Sequence, residues 1–69
     1  MEERIGITAG KVWHLLSERG ELALTNIVKE IDEPPSMVYM AIGWLAREGK
    51  LEFMASRRGR GQRVVLKGW

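Results

Sequence analysis

The sequence contains no cysteine, which excludes disulfides, thiol chemistry and cysteine-based zinc sites. It has one histidine, one tyrosine and one phenylalanine in 69 residues. A lone imidazole with no acidic cluster at ligand spacing makes neither a metal site nor an acid–base dyad. No apolar run approaches the ~18 residues of a membrane-spanning helix. The first residues, Met1-Glu2-Glu3-Arg4, are acidic and lack the charged-then-apolar layout of a secretory signal. These absences lead us to expect a non-enzymatic, cytoplasmic chain with no cofactor, no metal, no membrane contact and no small-molecule substrate.

Net charge is also scarce, at +2, but it is unevenly divided. Residues 1–53 carry six Lys/Arg against nine Asp/Glu. Residues 54–69 carry Arg57, Arg58, Arg60, Arg63 and Lys67 and no acid. A mildly acidic body with a basic end points to an anionic partner at one place. The length allows a single domain, taken as residues 1–69. It is a marginal size for an independent core, so association with a second copy is a reasonable source of further buried surface.

One stretch organises the rest. Pro35 suits the first position of a helix, where a missing N–H costs nothing, and Gly49 suits the left-handed position just past its end. Between them Val38, Ala41, Ile42 and Leu45 repeat at i, i+3, i+4, i+7, the signature of one buried face. A second apolar stripe, Met37, Met40 and Trp44, runs about 100° further round. A helix packed on its own domain needs one stripe. The second is covered either from within the chain, by Trp69 or the N-terminal residues, or by a second copy, since contiguous exposed apolar patches usually mark interfaces.

The elements around this helix follow the same logic. Residues 5–19 read as a helix with Ile5, Ala9, Val12 and Leu16 inward and Trp13 flanking. Gly20 ends it, and Gly10 is a candidate point of close approach by another element. Glu21-Leu22-Ala23-Leu24 fits a minimal strand or extended connector. Thr25 suits the N-cap of a short helix over 26–31 with Ile27, Val28 and Ile31 inward. Asp32-Glu33-Pro34-Pro35 stops that helix. Lys50 to Met54 and Arg63 to Lys67 read as two strands of a hairpin, joined by the arginine–glycine loop Ser56 to Gln62. The order matches an α+β winged helix-turn-helix of three helices with a small antiparallel β-hairpin as the wing.

Ile5-Gly6, Ala9-Gly10-Lys11-Val12-Trp13 and above all Ala41-Ile42-Gly43-Trp44-Leu45-Ala46-Arg47-Glu48-Gly49-Lys50-Leu51 resemble a family of small prokaryotic winged helix-turn-helix domains with no assigned function. The resemblance spans most of the chain. It implies the winged-helix fold and homodimers formed through the helix-turn-helix surface, and it leaves DNA binding open. The four arginines of the wing depart from the family pattern, and that departure raises the question of DNA contact for this member.

The candidate sites separate by chemistry. Arg57, Arg58, Arg60 and Arg63 set four guanidinium groups within seven residues, and such forks match phosphate oxygens. On the central helix, base-edge readers would be Arg, Lys, Asn, Gln, Ser or Thr near its start. Only Ser36 and Arg47 qualify away from the core stripe, and Arg47 lies at the far end. Duplex DNA is therefore expected to be held without sequence preference, through phosphate, by the wing with Arg47 in support. Met37, Met40 and Trp44 are expected at a homodimer interface. The alternative is a protein-interaction module built on the helix-turn-helix that binds no DNA. His14, opposite the buried stripe of its helix, reads as a solvated surface residue.

Overall fold

A computed structural model describes residues 2–55 and 62–67 of the chain, apart from the side chain of Ala55. Arg57, Arg58, Arg60 and Trp69 lie outside the described residues. The elements run α1 (Glu2–Arg19), β1 (Leu22–Ala23), α2 (Leu24–Glu30), α3 (Pro35–Arg47), β2 (Leu51–Ala55) and β3 (Gln62–Leu66). The three strands form one antiparallel sheet in the order β1-β3-β2.

Helix α1 begins three residues before its apolar periodicity. Glu2 and Glu3 occupy its first turn, where negative charge complements the helix dipole. Its buried face is Thr8, Ala9, Val12 and Leu16, with Ile5 only half-buried. Thr8 was invisible to a count of apolar residues, yet it is 1% exposed. Gly20, with φ of 82°, ends the helix in a conformation that costs an L side chain about 1–2 kcal/mol.

Thr25 is not the N-cap of α2. Ala23 takes that position, in extended geometry and with no side-chain cap. The reason is the sheet: Ala23 is paired with Arg63, so the end of β1 already supplies the extended residue that precedes a helix. The helix starts at once, and Thr25 falls, exposed, in its first turn. Ile27 and Ile31 are buried and Val28 packs against the core.

Helix α3 opens and closes as its sequence requires. Pro34 is the N-cap and Pro35 follows in the first turn. The Pro34 carbonyl accepts from the Val38 N–H at 3.1 Å. At the other end, Gly49 has φ of 73°. Its N–H donates to the Ala46 carbonyl at 3.0 Å, and the Lys50 N–H donates to the Leu45 carbonyl at 3.0 Å. These are the paired bonds of a Schellman closure. That closure delivers the chain into β2, which pairs with β3 from Leu51↔Leu66 to Ala55↔Gln62. Val38, Ala41, Ile42 and Leu45 then meet Val12, Leu16, Ile27, Leu51, Val64 and Leu66 in one core.

Ion pairs tie the helix-turn-helix to α1. Glu33, in the turn, accepts from Lys11 Nζ at 2.7 Å and from Arg4 at 3.4 Å, while Arg19 meets Glu30 at 2.6 Å. The hydrogen bond from Lys11 is the main cause that holds the Glu33 carboxyl below the usual glutamate value. Partial burial opposes it, and the charges of Lys11 and Arg4 add to it. A depressed carboxyl stabilises the fold above its unfolded pKa and stops doing so as pH falls through its folded value. Glu33→Gln should therefore destabilise the protein at pH 7, and the gap from wild type should close as pH drops below 4.5. Urea melts across that range check this, and a gap of constant size would contradict the assignment.

Candidate functional site

The three faces of α3 can now be placed. Val38, Ala41, Ile42 and Leu45 are buried, as their spacing requires. Ser36, Tyr39, Gly43 and Arg47 are exposed. The Met/Trp stripe divides. Met37, in the first turn, is 5% exposed and so already covered by its own chain, whereas Met40 and Trp44 are 40% and 39% exposed. Unpartnered apolar surface is thus concentrated on the C-terminal half of the stripe. Because Tyr39 is half-exposed, Tyr39→Phe should leave unfolding free energy within ~0.5 kcal/mol of wild type. A larger loss in chemical denaturation would mean that the hydroxyl is engaged.

Trp44 and Glu48 line both of two depressions along the α1–α3 boundary. One, of about 560 Å³, is lined by Ile5, Met40, Gly43, Trp44, Arg47 and Glu48. The other, of about 290 Å³, is lined by Gly6, Ala9, Gly10, Trp13, Trp44, Leu45, Glu48 and Lys50. Helix α1 therefore contributes Ile5, Gly6, Gly10 and Trp13 to this face, which counting stripes on α3 alone does not reveal. The signal was the Gly6/Gly10/Trp13 spacing on one side of α1. Among the described residues no element makes the close approach suggested at Gly10: a β-carbon built there, or at Gly6 or Gly43, meets nothing of them within 4 Å.

The electrostatics of the two faces differ. Of the wing arginines only Arg63 is among the described residues, and its guanidinium is paired with the Glu21 carboxylate. Arg47, in the last turn of α3, makes no ion pair with described residues, and neither do Lys29 and Lys67. Glu48 and Lys50 approach only to 3.9 Å. His14 is exposed and sits edge-on to the Trp13 ring, with centroids 5.7 Å apart. The described residues contain no cluster of three or more His, Asp or Glu placed to hold a metal. No helix among them is long and apolar enough to cross a membrane.

Comparison with known proteins agrees with this architecture. A family model described as "Winged helix-turn-helix domain (DUF2582)" matches residues 1–66. An uncharacterized protein of Methanocaldococcus jannaschii, MJ1608, is 51% identical over 51 residues, covering 70% of this chain and 71% of that one. The solution NMR structure of protein BT2368 from Bacteroides thetaiotaomicron superposes with a TM-score of 0.82 at 29% identity, covering 99% of this chain and 82% of that chain.

Proposed function

The chain belongs to the winged helix-turn-helix domain family DUF2582, and we propose that it works as a non-enzymatic homodimer that holds duplex DNA through phosphate contacts from its wings. The observation that carries this reading is the charge division. Arginines are concentrated at the wing, while α3, the usual reading helix, exposes Tyr39, Met40 and Trp44. Phosphate contact needs cations and no base-edge code. Arg57, Arg58 and Arg60 supply it first, since Arg63 must leave Glu21 to join them. Arg47 adds a cation at the end of α3. The exposed Met40/Trp44 face supports the homodimer.

The test is fluorescence anisotropy with labelled duplex over a range of salt. Each neutralised phosphate contributes to the log–log slope, so a wing engaging three or four arginines gives about −3 to −4 per monomer. Changing Arg57, Arg58, Arg60 and Arg63 together to Gln should flatten that slope and weaken binding most at low salt. Wild-type protein that binds no duplex at low salt would leave the protein-interaction module as the reading, because the apolar α1–α3 face does not depend on the wing.

A further inference from the structure

We propose that Glu21 is an internal competitor for phosphate, a carboxylate that occupies one arginine of the wing until a nucleic-acid backbone displaces it. This deepens the phosphate reading above and rests on it. Three observations carry it. First, residues 54–69 hold five cations and no acid, so a carboxylate that meets a wing arginine must come from the body of the fold. The structure brings one: the Arg63 guanidinium donates through Nε to Glu21, 42 positions earlier in the chain. Second, the sheet builds this meeting. Arg63 stands in the central strand, paired with Ala23 on one side and Met54 on the other. Val64 and Leu66 are buried, so alternation turns Arg63 to the opposite face. Glu21 lies in the short link between Gly20, which ends α1, and β1. The pairing of β1 with β3 therefore positions both ends of the contact. Third, both side chains stay partly exposed, 43% for Arg63 and 40% for Glu21. A phosphate oxygen can reach the same guanidinium, and an exposed pair is weak enough to exchange. Carboxylate and phosphate ask for the same fork of N–H donors. The Arg63–Glu21 unit carries no net charge, so it drops out of the count of neutralised phosphates. Freeing Arg63 also leaves a carboxylate beside the backbone.

The test is the salt dependence of duplex binding, by anisotropy, for Glu21→Gln beside Glu18→Gln. Both changes remove one negative charge, but Glu18 is exposed on α1 and makes no ion pair with described residues. Each phosphate gained steepens the log–log slope by about 0.9. Wild type should lie at the three-arginine end of the range, and Glu21→Gln should steepen the slope by about that amount. It should also tighten binding about two- to fivefold at low salt. Glu18→Gln should leave the slope where it was. Repeating Glu21→Gln in an Arg63→Gln background isolates the pair, and there the gain in slope should vanish. Loss of one exposed ion pair should keep circular dichroism and the thermal midpoint close to wild type. If wild type binds and Glu21→Gln matches Glu18→Gln, or if its gain persists without Arg63, the competition is overturned and the phosphate reading stands. Duplex bound by neither wild type nor Glu21→Gln would remove both. Binding by Glu21→Gln alone would show the carboxylate holding the wing back entirely.

Discussion

Met40→Glu and Trp44→Glu should each turn the dimer into a folded monomer. Both side chains are about two-fifths exposed in the single chain, so a carboxylate at either position stays in water and the monomer keeps its core. In the proposed dimer the same carboxylate would be enclosed by apolar surface. An unpaired buried charge costs about 3–5 kcal/mol, which weakens association by roughly two orders of magnitude or more. Light scattering after size exclusion should report half the wild-type mass, with helical circular dichroism retained. Met37→Glu serves as the contrast. Met37 is covered by its own chain, so the charge there should damage folding itself. If Met40→Glu and Trp44→Glu keep the wild-type mass, the interface lies elsewhere.

Leu16→Ala should remove a large share of the fold's stability. Leu16 is 1% exposed and sits in the core with Val12 and Val38. Losing such a side chain costs about 2–5 kcal/mol from transfer and cavity terms together. At roughly 0.05–0.15 kcal/mol per residue, a domain of 69 residues has only about 3–10 kcal/mol in reserve, so the loss is a large fraction of it. The urea midpoint should fall sharply with its slope unchanged, while His14→Ala, on the exposed side of the same helix, should stay within about 0.5 kcal/mol of wild type. A Leu16→Ala loss under about 1 kcal/mol would show that the site repacks or is less enclosed than the structure has it. Should dimerisation add stability, the midpoint will also rise with protein concentration.

Much of this architecture was legible in the chain because its signals are local. Pro35 and Gly49 bracket α3 through backbone chemistry alone, and the Val38/Ala41/Ile42/Leu45 spacing fixes its inward face. What was illegible depended on residues distant in sequence. Ala23 caps α2 because its partner is Arg63, forty positions away in the chain, and no local rule for Thr25 registers that pairing. Likewise Met37 shares its stripe with Met40 and Trp44 but is buried within its own chain, which their common spacing does not reveal. The depression lined by Gly6, Gly10 and Trp44 was half-legible: the glycines of α1 were conspicuous, but only the packing of α1 against α3 sets them beside Trp44. Arg63 reads as one of four equivalent wing arginines until the fold brings it to Glu21.

The most direct measurement is the affinity of the wild-type protein for two unrelated duplexes of equal length, by anisotropy, from low to moderate salt. A wing that engages phosphate without a reading helix predicts equal affinities for both duplexes and a log–log slope of about −3 to −4 per monomer. No binding at the lowest salt, or a strong preference for one sequence that survives at higher salt, would contradict it.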